Sequence, residues 1–231
     1  MKKDIFLVDA DNTLLDFNAS SFLAIEEALK SYGVEWKEDY KTIFLRLNDG
    51  LWERLERKEL SREKLHEIRF PLYLNELGLS GIDGAAFNEK YLKYLAQKPV
   101  YIDGAESFLK KLKKHGKIFI VTNGTEWIQK SRFEILGFWE LIDGAFISQA
   151  VGADKPDPIY TDFVLSHIDG FERTRTVLIG DSLSADIKMA NDAKIESIWY
   201  NPMKKPFPEK GAIPDWQAEN FEEILTILRL K

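Results

Sequence analysis

Two aspartates, two positions apart, follow the first apolar run of the chain. The run Ile5 to Val8 has a β-branched residue at each end and is followed by Asp9 and Asp11, a pattern typical of a strand buried on both faces. Ligands bind at the C-terminal ends of such strands. At about 4 Å and an effective dielectric near 20, two carboxylates repel by on the order of 4 kcal/mol. The pair indicates a cation site or, since Asp is also frequent in turns, an ordinary turn.

Further polar groups follow the later apolar runs. Their side chains or amides suit a phosphate or a metal, and they are Thr122, Asn123 with Gly124, Lys155, Asp181 and Asp186. Several have an ordinary alternative: Thr122 as a turn residue, Lys155 as a solvated charge, and Asp186 as a carboxylate favoured at a helix N-terminus.

Sequential strand–helix–strand units place their strands side by side, so these groups are expected to meet Asp9 and Asp11 at one sheet edge. Because these polar groups occur at the ends of successive strands, they are better explained by one shared site than by several unrelated turns. Three or four carboxylates with one lysine and no histidine suit a hard cation, and Mg²⁺ is the predicted occupant because it binds through carboxylates and substrate phosphate.

The composition excludes several classes of protein. The chain has 231 residues, is 45% hydrophobic and 30% charged, and carries a net charge of −6. This acidic balance gives no general attraction to polymeric nucleic acid or to a membrane surface. There is no cysteine and there are three scattered histidines, which disfavours disulfides and zinc. No signal peptide or membrane span is recognisable, so a cytoplasmic location is expected.

The elements that would position these residues belong to an α/β fold. Residues 1–15 and 99–231 predict a doubly wound, Rossmann-like parallel sheet with alternating helices. Residues 16–98 show helical periodicity without a strand signal, and they predict an inserted all-helical cap domain.

Local signals predict where several helices begin and end. Ser20 and Ser21 precede a helical pattern that Gly33 ends, a second pattern covers residues 38–58, Ser61 suits the N-cap of a third helix, and residues 84–97 form a fourth. Pro71 is expected to break or kink its helix. Asp103 and Glu106 resemble a capping box for a helix reaching His115.

Four motifs in order resemble those of the haloacid dehalogenase superfamily of aspartyl-phosphate phosphatases. They are Asp9 to Thr13, Thr122, Lys155–Pro156, and Gly180–Asp181 with Asp186. The resemblance covers essentially the whole chain, with the helical insertion in the place of a C1-type cap. Asn12 stands where a glycine is usual, and Asn also tolerates unusual turn dihedrals.

The resemblance implies a mechanism and a role for each motif residue. Asp9 would be the nucleophile and a Mg²⁺ ligand, while Asp11 would act as general acid and base and bind the metal through its backbone carbonyl. Asp181 would complete the metal ligands, and Asp186 would orient metal waters or Lys155. The phosphoryl group would be held by Asn12, Thr122, Asn123 and Lys155.

Shorter similarities point to the noncanonical pyrimidine 5′-nucleotidase branch. They are residues 11–17, Asn48 with Leu51–Trp52, Arg69–Phe70, and residues 212–216. They imply hydrolysis of a nucleoside 5′-monophosphate, with Phe17, Asn48, Trp52 and Arg69 as candidates for contacting the leaving group. Each of these four could equally pack the cap core or lie on its surface.

Other functions fit part of the pattern. The alternatives are a phosphatase or phosphomutase acting on a sugar phosphate or other small phosphorylated metabolite, and a receiver-like phospho-aspartate signalling module. A dehalogenase fits less well because Asp11 supplies an acid that phosphoryl transfer needs. The sequence does not indicate the oligomeric state.

Overall fold

A six-stranded parallel sheet carries the residues singled out above. In this computed structural model, which describes residues 3–57, 59–207 and 209–230, the strand order is β3-β2-β1-β4-β5-β6. The strands are β1 (Ile5–Val8), β2 (Lys117–Thr122), β3 (Gly144–Ile147), β4 (Thr176–Gly180), β5 (Glu196–Tyr200) and β6 (Trp216–Ala218). All five pairings are parallel, which confirms the predicted doubly wound sheet.

The central strand β1 is buried on both faces because all four of its side chains are apolar. Phe6 and Val8 pack into one core cluster, and Ile5 and Leu7 pack into the other. This alternation follows from the two-residue period of a strand. Strands β2 and β4 flank β1 in register, so their ends lie beside the end of β1.

Helices connect the strands of this sheet. They are α5 (Ala105–Lys113), α6 (Glu126–Ile135), α7 (Phe138–Leu141), α8 (Ser148–Val151), α9 (Pro158–Ser166), α10 (Lys188–Ala193) and α11 (Phe221–Ile227). A wide, π-helical turn over Leu183–Ile187 precedes α10. The predicted capping box is wrong, because Gly104 is the N-cap residue of α5 and makes no side-chain cap.

The chain divides into two compact units, one comprising residues 1–16 and 100–231 and the other residues 17–99. The second unit contains α1 (Phe17–Lys30), α2 (Asp39–Glu56), α3 (Arg62–Glu76) and α4 (Gly84–Gln97). Aromatic rings fill its core, with Phe70 in contact with Phe44, Tyr73, Phe87 and Tyr91. No helix among the described residues is long and apolar enough to cross a membrane.

The structure corrects one predicted helix start and excludes one predicted helix break. Helix α1 begins at Phe17, and Ser20 and Ser21 are buried inside it instead of preceding it. Helix α3 continues through Pro71, whose ring lies against Gly84 so closely that a Cβ there would be 2.6 Å from the proline Cδ. Ser61 does cap α3, accepting a hydrogen bond from the Lys64 amide. The predicted end of α2 at Lys58 lies outside the described residues.

Candidate active site

The carboxylate of Asp9 lies at the end of β1, between a lysine and a threonine. Lys155 Nζ donates to Asp9 Oδ1 over 2.6 Å, and Thr13 Oγ1 donates to Oδ2 over 3.0 Å. Thr13 was not predicted to hold Asp9, although its position four residues later in the same turn was a usable signal. With both oxygens engaged, the orientation of the Asp9 carboxylate is fixed.

Lys155 joins the Asp9 carboxylate at the end of β1 to the Asp186 carboxylate in the π-helical turn after β4. Its Nζ is 2.6 Å from Asp186 Oδ1 as well as from Asp9, and it also donates to the Val121 carbonyl over 2.7 Å. Burial acts to lower the pKa of Lys155, but the Asp186 and Asp9 carboxylates raise it above its ordinary value. Lys155 is therefore a permanently charged, buried ammonium rather than a solvated loop charge.

Asp181 brings a third carboxylate to this cluster. Carboxylate oxygens of Asp9, Asp181 and Asp186 lie within 4.8 Å of one another. Burial, opposed by Lys155 and reinforced by Asp186 and Asp11, raises the pKa of Asp9 to about 7. Burial and the charges of Asp9 and Asp186 likewise raise the pKa of Asp181. Three carboxylates against one ammonium leave an excess of negative charge that a divalent cation would neutralise.

Two glycines and one asparagine shape the backbone around the cluster. A Cβ on Gly180 would lie 2.3 Å from Asp186 Cγ, so only glycine lets Asp186 approach the end of β4. The Asp186 carboxylate also accepts a hydrogen bond from the Ser182 amide over 3.1 Å. A Cβ on Gly124 would lie 2.7 Å from Gln129 Cγ. Asn12 has a φ of 61°, in the left-handed region that Asn tolerates.

Two residues expected to bind phosphate, Asn12 and Asn123, already form hydrogen bonds within the protein. The backbone amide of Asn12 already donates to the Leu15 carbonyl over 2.7 Å, so it is engaged inside its own turn. The side chain of Asn123 forms two hydrogen bonds with the Lys155 backbone, one to its carbonyl and one from its amide. Asn123 therefore anchors the loop that carries Lys155.

Asp11 points its carboxylate at helix α6. Arg132 Nη1 donates to Asp11 Oδ1 over 2.7 Å, and Gln129 Nε2 donates to Oδ2 over 2.8 Å. Gln129 also donates to Thr122 Oγ1 over 3.0 Å. Neither Gln129 nor Arg132 was predicted to belong to the site. Their i, i+3 spacing places the two polar side chains on one face of α6, but it does not show that this face meets Asp11.

Four of the predicted substrate-binding residues lie in the helical unit. Asn48 and Arg69 are buried, at 3% and 2% exposure, and Arg69 Nη1 donates to Asn48 Oδ1 over 3.3 Å. The Arg69 guanidinium lies 4.8 Å and 4.7 Å from the ring centres of Phe70 and Tyr91. Phe17 and Trp52 are half-buried.

Comparison with known proteins gives consistent matches along the chain. Residues 6–200 match the family model described as haloacid dehalogenase-like hydrolase. The pyrimidine 5′-nucleotidase PynA of Streptococcus pneumoniae is 34% identical over 223 residues, covering 96% of this chain and 93% of PynA. The pyrimidine 5′-nucleotidase YjjG of Escherichia coli is 27% identical over 228 residues, covering 99% of each.

The crystal structure of the HAD-hydrolase YfnB of Bacillus subtilis, bound to magnesium, superposes on this chain with a TM-score of 0.94. The two sequences are 32% identical, and the match covers 100% of both chains. The similarity therefore extends over both compact units.

Proposed function

The chain belongs to the haloacid dehalogenase-like hydrolases, as its four motifs predicted, and we propose that it is a magnesium-dependent phosphatase that hydrolyses pyrimidine nucleoside 5′-monophosphates. The observation that carries the proposal is the buried cluster in which Lys155 Nζ lies 2.6 Å from both Asp9 and Asp186. The choice of substrate is supported by the match of nearly the whole chain to PynA and YjjG.

The donor set fits Mg²⁺. Asp9 and Asp181 would bind it through carboxylate oxygens and Asp11 through its backbone carbonyl, while Asp186 would act through Lys155. Oxygen ligands with an excess of negative charge are what this hard cation requires. When bound, Mg²⁺ would neutralise charge on the phosphoryl oxygens.

In the first step, an Asp9 oxygen forms a bond to phosphorus while the bond from phosphorus to the nucleoside oxygen breaks. Asp11 gives its proton to that departing oxygen. In the second step, a water oxygen bonds to phosphorus, Asp11 takes the water proton, and the bond to Asp9 breaks to release phosphate. Lys155 and Thr122 lower the energy of both steps by placing donors beside the phosphoryl oxygens.

We also propose that the helical unit selects the leaving group. Phe17 and Trp52 are half-buried, and their rings would stack on a base. Asn48 and Arg69 are buried and bonded to each other, so they would act by holding α2 against α3.

The test is a panel of pyrimidine and purine 5′-monophosphates and sugar phosphates, assayed for phosphate release with Mg²⁺ and with EDTA. We expect metal-dependent release, fastest with the pyrimidine nucleotides, and none from the Asp9→Asn variant. A preference for sugar phosphates would refute the substrate assignment. No release from any compound would refute the phosphatase itself.

A further inference from the structure

We propose that Gln129 and Arg132 are positioning residues for the proton transfer that Asp11 carries out, an inference that rests on the proposed phosphatase function. They hold the Asp11 carboxylate in one orientation and connect it to Thr122. Neither belongs to the four motifs described above.

The two side chains engage both oxygens of Asp11 at once. Arg132 Nη1 binds Oδ1 at 2.7 Å and Gln129 Nε2 binds Oδ2 at 2.8 Å, while Arg132 Nη1 also donates to Gln129 Oε1 over 2.9 Å. Donors on both oxygens fix the rotation of the carboxylate group. Each carboxylate oxygen keeps a second lone pair, which is where a transferred proton would be held.

Gln129 links this carboxylate to the residue expected to bind phosphate. Its Nε2 group donates both to Asp11 and to Thr122 Oγ1. Gly124 leaves the space that the Gln129 side chain occupies, since a Cβ there would lie 2.7 Å from its Cγ. The position of Asp11 relative to the phosphoryl group is therefore determined through one amide group.

Packing alone does not explain why an arginine occupies position 132. It is 1% exposed, and its Nε and Nη2 atoms have no hydrogen-bond partner within the part of the chain that the structure describes. Burying a guanidinium with unsatisfied N–H groups carries a desolvation cost that an apolar side chain of similar length avoids. The salt bridge to Asp11 is the interaction that compensates for this cost.

The inference can be tested because proton donation matters for some leaving groups and not for others. A nucleoside alkoxide needs a proton as it leaves, whereas p-nitrophenolate is stable without one. The quantity kcat/KM covers only the steps up to formation of the aspartyl-phosphate. We expect Arg132→Met to lower kcat/KM for uridine 5′-monophosphate by about 10- to 100-fold, within the range of general acid catalysis.

The same variant should change kcat/KM for p-nitrophenyl phosphate by less than about threefold, because no leaving-group proton is required. In an Asp11→Asn background, adding Arg132→Met should cause no further loss with either substrate. Arg132→Lys should retain part of the activity. Lys130→Met, which removes an exposed cation of α6 paired with Glu126, is the matched control.

Thermal unfolding of each variant shows whether the fold is retained. Equal losses of kcat/KM with both substrates, or a further loss in the Asp11→Asn background, would show that Arg132 is only structural and would overturn the inference. If wild-type protein hydrolyses a different alkyl phosphate, that compound replaces the nucleotide. Wild-type protein that is inactive towards every phosphomonoester would refute the proposed function and this inference together.

Discussion

Replacing Lys155 by methionine tests how the buried charges of the candidate site are balanced. The Lys155 side chain is 2% exposed, and the side chains of its partners Asp9 and Asp186 are 8% and 1% exposed. Methionine keeps most of the volume and removes the charge. Two buried carboxylates would then face each other without the cation that separates them.

The size of the effect can be worked out from the distances between Lys155 and the two carboxylates. Lys155 Nζ lies 2.6 Å from a carboxylate oxygen of Asp9 and of Asp186. With an effective dielectric of about 20, each of these two ion pairs contributes on the order of 6 kcal/mol of attraction. Desolvation of the three groups cancels much of it. Removing one member of a buried pair typically costs about 3–5 kcal/mol, so we expect Lys155→Met to lower the free energy of unfolding by about 4 kcal/mol.

Urea denaturation at pH 7 in EDTA, followed by circular dichroism, measures this loss. Adding Asp186→Asn to Lys155→Met should recover about 2 kcal/mol, because it removes one of the two uncompensated carboxylates. The control Lys130→Met removes a cation that is also 2.6 Å from its partner but 58% exposed, and it should cost less than about 1 kcal/mol. A loss below 1 kcal/mol for Lys155→Met, or no recovery in the double variant, would refute the reasoning.

Three further outcomes are expected. Burial and the charges of Arg69 and Arg62 lower the pKa of His66 from 6.5 to about 4. The imidazole of His66 therefore binds a proton more tightly in the unfolded chain than in the folded one. The contribution of neutral His66 to the free energy of unfolding is fully present above about pH 6.5 and decreases as the pH falls toward 4. Between pH 7 and pH 5, wild-type protein should therefore lose about 2 kcal/mol of unfolding free energy. The His66→Gln variant should not show this loss in urea denaturation. Gly180→Ala should displace Asp186 and reduce phosphate release at least about tenfold, since correct placement of site groups is required. Chelation with EDTA should reduce the steady-state rate at least about 100-fold, with recovery on adding Mg²⁺.

The sheet and the convergence of motif residues could be predicted because buried parallel strands are continuous apolar runs. The end of each run locates the edge where ligands bind. Strand β6 (Trp216–Ala218) was missed because it has three residues and no apolar run. Whether α3 would break at Pro71 or continue through it could not be decided from sequence, because the proline ring lies against Gly84 on another helix.

The supporting hydrogen bonds of the site were harder to predict from sequence. Gln129 and Arg132 are separated from Asp11 by more than 115 residues, and nothing in the spacing of α6 shows which face meets the sheet edge. That Asn123 anchors the Lys155 backbone also depends on two loops meeting in the fold. Such pairings are properties of tertiary packing rather than of local pattern.

Trapping the phosphorylated enzyme tests the central claim most directly. Protein mixed with substrate and Mg²⁺, quenched in acid within milliseconds and digested, should yield a peptide whose added phosphate maps to Asp9 by mass spectrometry. The Asp9→Asn variant should yield none and release no phosphate. Phosphate on another residue, or hydrolysis at the wild-type rate by Asp9→Asn, would contradict the account.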